Sequence, residues 1–82
     1  MSQYYEALQR EEREAFFAWL QSGQEIDYAR QRYRKANILQ QAERKRELEE
    51  AVNEHDLKFE RWLSVSTALD ELEIAFSEGS EP

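Results

Sequence analysis

A run of 55 residues, from Gln24 to Glu78, contains neither glycine nor proline. These two residues are the strongest local breaks in regular structure, and almost every residue in the run is compatible with a helix. A single helix of that length measures about 80 Å at 1.5 Å per residue. An isolated rod cannot bury its own apolar side chains, so the chain must fold back on itself or pair with another chain.

The size and composition indicate one small domain with a marginal core. The chain has 82 residues, and a domain of this size buries only about 60 to 65% of its unfolded surface. The chain has no cysteine, which excludes disulfides and thiolate chemistry and fits a reducing compartment. No signal-peptide pattern and no long apolar stretch are visible, so we expect a cytoplasmic protein without a membrane span.

Two breaks divide the predicted helices. Ser22-Gly23 is typical of a helix end, with the glycine in a left-handed conformation just beyond it. Asn53 and Asp56 have the composition of a second helix end followed by a new N-cap. The first architecture predicted is therefore an all-α, small antiparallel bundle of three helices within a single domain, 1–78, followed by a flexible acidic tail, 79–82. The three helices are predicted over residues 2–21, 24–52 and 54–77.

A second architecture remains open. Positions that should continue the apolar stripe of the middle helix are polar instead: Asn37, Gln40, Arg44 and Glu47. In this alternative the chain forms a helical hairpin, with helices 2 and 3 continuous and helix 1 folded back. A second copy would then complete the core, so a homodimer is part of this alternative.

Residues with catalytic chemistry are scarce, which favours a non-enzymatic protein. His55 is the only histidine, so one chain cannot supply a two-histidine metal site. No glycine-flanked serine elbow and no glycine-rich phosphate loop occur in a chain with two glycines. We therefore expect no catalytic residues, no bound metal and no cofactor.

Glu12 falls within the apolar stripe of the first helix. A carboxylate at a helix–helix contact needs a partner, because its burial otherwise costs several kcal/mol. If the first two helices are antiparallel about Gly23, Glu12 lies level with Arg34. The sequence therefore predicts a structural ion pair between Glu12 and Arg34.

The net charge of −7 is unevenly distributed. Residues 28–46 hold seven basic residues and one acidic residue, and this basic stretch includes Arg30, Arg34, Arg44 and Arg46. Direct nucleic-acid binding through this stretch is the third functional hypothesis. It ranks below the others because the cations spread around the helix and the negative net charge opposes binding to nucleic acid. The second functional hypothesis is a nucleic-acid mimic that blocks a DNA- or RNA-binding protein. It rests on the acidic residues of the last helix: Asp70, Glu71, Glu73 and Glu78.

Apolar side chains away from the main stripes favour the leading hypothesis. Clustered exposed apolar residues are typical of interfaces, and the candidates are Phe17, Tyr28, Ile38 and Leu39. We therefore predict a small acidic helical adaptor or inhibitor that docks on a larger protein. Its size, acidity and helicity are typical of small helical binders such as accessory subunits, secretion chaperones and phage-encoded inhibitors of host enzymes.

Overall fold

The chain forms a helical hairpin. A computed structural model describes residues 2–79, with side chains over residues 3–77. Helix α1 spans Ser2–Lys35 and helix α2 spans Gln41–Gly79, joined by residues 36–40. The all-helical class is confirmed, but the three-helix bundle is not observed. The predicted hairpin alternative fits better, although the chain reverses at a different place.

The predicted break at Ser22-Gly23 is wrong, because α1 runs straight through it. No glycine in the described residues has a positive φ, so Gly23 does not adopt the left-handed conformation of a helix end. Ser22 is fully buried, and its hydroxyl donates to the Trp19 carbonyl at 2.6 Å. The same oxygen lies 2.6 Å from Nδ1 of His55 on α2. The helix–helix contact therefore offsets the poor helix propensity of Gly23, which is about 1 kcal/mol.

The second predicted break is also absent, since α2 continues through residues 53–56. Asn53 and Asp56 are exposed, so neither polar side chain is forced into the contact with α1. His55 lies between them and stacks on Trp19, with ring centroids 5.7 Å apart. Tertiary packing at His55 outweighs the weak helix propensity of its neighbours. At the C-terminus, Gly79 of the predicted flexible tail is helical, and residues 80–82 lie outside the described part.

The chain reverses at residues 36–40 without glycine or proline. The Asn37 side-chain oxygen accepts a hydrogen bond from the Gln40 amide at 3.0 Å, which is the geometry of a helix N-cap. The Gln40 amide also donates to the Asn37 carbonyl at 3.0 Å, and the Arg44 amide donates to the Gln40 carbonyl at 3.0 Å. The failure of the apolar stripe from Asn37 onward therefore marks the turn between the helices.

The two helices meet along a seam with coiled-coil spacing. Buried and half-buried residues recur every three or four positions on both helices, as in a heptad repeat. On α1 they are Tyr5, Leu8, Glu12, Ala15, Trp19, Ser22, Ile26, Ala29 and Tyr33. On α2 they are Leu48, Ala51, His55, Lys58, Trp62, Val65, Leu69, Leu72 and Phe76. Tyr5 lies against Phe76 and Trp19 against Trp62, which fixes the antiparallel register.

The resulting molecule is a thin rod with extents of 69 × 15 × 13 Å. Among the described residues, the buried apolar side chains are few: Leu8, Ala15, Ile26 and Ala29. Two packed helices cannot enclose large side chains on all sides, so most aromatic residues stay partly exposed. Neither helix contains, over its described residues, a segment apolar enough to cross a membrane.

Candidate protein–protein interface

The turn presents two large aliphatic side chains to solvent. Ile38 is 87% exposed and Leu39 is 93% exposed. We call residues 36–40 the tip. The Asn37 cap and the helix ends on either side hold its backbone, so the two side chains project from an ordered turn. Adjacent, almost fully exposed aliphatic residues at the end of a rod are suited to enter a pocket on another protein.

The basic stretch surrounds the tip. The hairpin brings its two halves together, with Arg30 and Arg34 at the end of α1 and Arg44 and Arg46 at the start of α2. Glu47 links the helices here, at 3.4 Å from Arg32 and 2.7 Å from Arg44. Arg46 lies 3.9 Å from Glu50, and Arg30 lies 3.7 Å from Asp27.

Three basic side chains near the tip have no acidic partner among the described residues: Arg34, Lys35 and Lys45. The tip is therefore an apolar point within a region of net positive charge. The rest of the molecule carries the excess of acid, so the two ends of the rod have opposite charge.

An aromatic cluster occupies the middle of the hairpin. Trp19 and Trp62 stack with ring centroids 5.7 Å apart and planes within 10° of parallel. Phe16 lies 5.9 Å from Trp62, and Phe59 lies 5.4 Å from Trp19. The indole nitrogen of Trp62 donates to a Glu12 carboxylate oxygen at 2.9 Å. These contacts tie the centre of α1 to the centre of α2.

This cluster continues onto one side of the hairpin as an exposed apolar surface. Leu20 follows Phe16 by one helical turn, and Leu63 follows Phe59 in the same way, so each pair shares a face. Leu20 is 45% exposed and Leu63 is 48% exposed. Phe17 touches Phe16 at the edge of this surface. We call the surface the aromatic flank; it consists of Phe16, Phe17, Leu20, Val52, Phe59 and Leu63.

The aromatic flank could be predicted only in part. In the sequence of α2, residues at strict 4-3 spacing predict a heptad line that faces the partner helix: His55, Phe59, Trp62, Ser66, Leu69, Glu73 and Phe76. In the structure the inward line of α2 takes Lys58, Val65 and Leu72 in place of Phe59, Ser66 and Glu73. This shift to a neighbouring heptad column leaves Phe59 on the flank. The shift is not visible in the sequence, because a lysine is not expected at a seam position. The long apolar stem of Lys58 lies in the seam, while its amine lies 3.8 Å from Glu54.

The four residues of the predicted partner interface do not form one cluster. Ile38 and Leu39 are adjacent at the tip, but Phe17 lies about 27 Å from the end of α1, at 1.5 Å for each of 18 residues. Tyr28 is 63% exposed, and its ring faces the Arg32 guanidinium at 5.6 Å. The structure therefore distributes these side chains over the tip, the flank and a third site.

The predicted ion pair between Glu12 and Arg34 does not form. Because α1 does not reverse at Gly23, both residues lie on one helix, about 33 Å apart over 22 residues. Glu12 does face the other helix as expected, but its partner is the Trp62 indole. A neutral donor thus satisfies this half-buried carboxylate.

The acidic residues of α2 lie at the open end of the hairpin. Asp70, Glu71 and Glu73 are exposed and point in different directions around the helix. Glu73 accepts a hydrogen bond from the Tyr5 hydroxyl at 2.8 Å, and this bond raises the pKa of Tyr5 above its usual value of 10.0. The side chain of Glu78 lies outside the described residues.

Among the described residues, no group of three or more carboxylate, histidine or cysteine side chains converges as a metal site would require. Comparisons with known proteins add no assignment: no protein-family model, curated protein or solved structure matches this chain. The tip and the aromatic flank are therefore the candidate functional surfaces of the hairpin.

Proposed function

We propose that this protein is a non-enzymatic interaction module that docks its tip on a larger protein. The observation that carries the proposal is the exposure of Ile38 and Leu39, at 87% and 93%, on a turn held by the Asn37 cap. Neither side chain contributes to packing between the helices, so folding alone gives no reason for two aliphatic residues at this place.

The charge around the tip defines the partner's chemistry. Near the two aliphatic side chains, Lys35 and Lys45 have no acidic partners among the described residues. A matching partner surface has an apolar pocket for Ile38 and Leu39, with carboxylates at its rim. Aliphatic burial supplies most of the affinity, and the rim charges supply orientation and association rate.

A photo-crosslinking amino acid at Leu39 tests the proposal in an extract of the cells from which the chain comes. We expect one discrete protein adduct that survives nuclease treatment and disappears in the Ile38→Asp variant. The matched control carries the crosslinker at Leu57, which is 60% exposed in the middle of α2. Circular dichroism of Ile38→Asp should match that of the wild type, because the residue is almost fully exposed.

Equal adducts from Leu39 and Leu57, or an adduct that Ile38→Asp does not affect, would contradict tip docking. Acidic mimicry remains the second candidate, resting on the net charge of the open end. It predicts instead that binding weakens steeply with salt and is lost on charge reversal at Asp70, Glu71 and Glu73. Direct nucleic-acid binding by the basic residues remains the third candidate, and it predicts an adduct that nuclease treatment removes.

A further inference from the structure

We propose that the aromatic flank binds a second copy of this chain, with two hairpins antiparallel to each other in a two-fold symmetric four-helix bundle. A two-stranded coiled coil needs apolar residues only along its seam. Here Phe16, Phe59 and Val52 add a further apolar column beside the seam, and Leu20 and Leu63 widen it. A face of this width is typical of helices that pack in bundles of more than two.

The exposed area of one hairpin agrees with a missing partner. The chain exposes 6553 Å². A folded monomer of 9.9 kDa exposes about 5200 Å² on the usual scaling of area with mass. The excess of roughly 1300 Å² is larger than the approximately 800 Å² that each partner buries in an interface of standard size. Covering the aromatic flank brings the exposed area per copy toward the usual range.

A line of charges along the edge of the aromatic flank specifies the antiparallel orientation. The line runs on α1 at intervals of seven residues, so its members share one heptad position beside the flank. Its members are Glu6, Arg13, Leu20, Asp27 and Arg34. Reversing this line about Leu20 places Glu6 opposite Arg34, and Arg13 opposite Asp27. The line is thus complementary to its own antiparallel copy.

These charges are available for contacts between copies. All four charged members are exposed, and Glu6, Arg13 and Arg34 form no ion pair with any other described residue. Asp27 lies 3.7 Å from Arg30 and stays 72% exposed. Glu6 and Arg34 are about 42 Å apart along α1, over 28 residues, so they cannot meet within one copy.

The position of the symmetry axis supports full overlap of the two rods. Leu20 lies 18 residues from Ser2 at the open end and 18 residues from Ile38 at the tip. A two-fold axis at Leu20 therefore aligns the hairpins along their whole length. It also places the acidic open end of each copy against the basic end of the other. A parallel pairing would bring like-charged ends together, which long-range repulsion opposes.

One like-charge contact opposes the dimer and gives a diagnostic variant. On α2 the same heptad position holds Glu49, Asp56, Leu63 and Asp70. Because Trp62 lies level with Trp19, the part of α2 level with Leu20 is near residue 60, so the two-fold axis places Asp70 opposite Glu49 of the other copy. Replacing Asp70 by lysine should therefore tighten the antiparallel dimer. In a parallel pairing Asp70 would face Arg13 instead, and the same variant would weaken association.

Sedimentation equilibrium of the purified full chain at low salt tests the proposal. We expect a mass near twice 9.9 kDa for the wild type and a monomer for Leu20→Asp. Leu57→Asp, at an exposed leucine on the opposite side, is the matched control and should remain dimeric. The single reversals E6R and R34E should each weaken the dimer about tenfold, because two ion pairs per dimer become repulsive.

An equimolar mixture of E6R and R34E gives the sharpest result. In the mixed dimer both ion pairs are restored, so we expect association within about threefold of the wild type. Three results would each overturn the proposal. They are a wild type that stays monomeric at about 100 micromolar, the concentration that corresponds to a binding free energy of only about 5.5 kcal/mol, a mixture that associates no more tightly than its components, and weaker association of Asp70→Lys. Tip docking is tested separately, since Leu20→Asp leaves Ile38 and Leu39 intact.

Discussion

Trp19 and Trp62 stack across the centre of the hairpin, with ring centroids 5.7 Å apart and planes within 10° of parallel. The two residues are far apart in sequence, and their contact fixes the level at which α1 and α2 meet. Around this pair the small residues Ala15 and Ser22 allow the helix backbones to approach. The flank residues Phe16 and Phe59 pack against this pair. The same two tryptophans therefore set the register of the hairpin and support its exposed apolar surface.

Replacing Trp62 by alanine should lower the free energy of unfolding by about 2 to 3 kcal/mol. The loss is below the roughly 3 to 5 kcal/mol of a fully buried tryptophan, because Trp62 is only half-buried. The variant also leaves the half-buried Glu12 carboxylate without its indole donor. Urea unfolding followed by circular dichroism at one fixed protein concentration measures the effect. Leu57→Ala is the control and should cost less than about 0.5 kcal/mol, as exposed substitutions do.

Replacing Gly23 by alanine should stabilise the protein by about 0.5 to 1 kcal/mol. Gly23 lies inside α1 with no positive φ, so alanine restores the helix propensity that glycine lacks. An added Cβ would lie 3.5 Å from Cε1 of His55, which is an ordinary van der Waals contact. Thermal unfolding measures the change. A destabilisation of similar size would indicate the left-handed helix end that the sequence suggested.

Replacing Asn37 by alanine should destabilise the hairpin by about 1 kcal/mol, because the side chain caps the first turn before α2. Asn37→Asp keeps the accepting oxygen and should stay within a few tenths of a kcal/mol of the wild type. Urea unfolding of both variants at one protein concentration provides the measurement. If the alanine variant were as stable as the aspartate variant, the Asn37 side chain would not stabilise the turn as an N-cap.

The Tyr5 hydroxyl should titrate at a higher pH in the folded protein than in the unfolded chain. Its hydrogen bond to the Glu73 carboxylate is the main cause of the raised pKa, because the bond favours the protonated phenol. The stabilising effect of this bond is therefore present below pH 10 and is lost as the pH rises through the raised pKa. Carbon-13 NMR of the labelled Tyr5 ring follows the titration.

The matched variants for this titration are Glu73→Gln and Glu71→Gln. Removing the charge at Glu73 should lower the pKa of Tyr5 toward 10.0, because the hydrogen bond to the carboxylate is the largest cause of its shift. Glu71 makes no described contact with Tyr5, so its variant should leave the titration unchanged. An identical Tyr5 titration in wild type and Glu73→Gln would exclude the hydrogen bond in solution.

The sequence predicted the helical class from the absence of breakers, but it misplaced the chain reversal. Gly23 was interpreted from its local preference alone, whereas Ser22, Trp19 and His55 stabilise a continuous helix through contacts between distant segments. The actual turn lacks glycine and proline, so its only signals were Asn37 and the polar gap in the apolar stripe. Local propensity could not show which of these competing sites the tertiary contacts would favour.

The exposed surfaces were predicted unevenly for the same reason. Ile38 and Leu39 stood out because they lie away from every apolar stripe, and the structure places them at the tip. Phe59 was expected inside, because the heptad line of α2 is ambiguous between two neighbouring columns. Only the position of α1 decides between those columns, and that position depends on the turn at residues 36–40.

A distance between two points on α1 tests the central claim, that this helix passes through Gly23 and turns only at residues 36–40. The chain has no cysteine, so spin labels can be placed at Arg10→Cys and Lys35→Cys alone. Double electron–electron resonance, with excess unlabelled chain to suppress contacts between copies, gives the separation. A continuous helix predicts a single distance near 37 Å, about 25 residues at 1.5 Å each. A main distance of roughly 10 to 15 Å, the spacing of adjacent packed helices with label arms, would show that the chain reverses at Gly23 and would contradict the account.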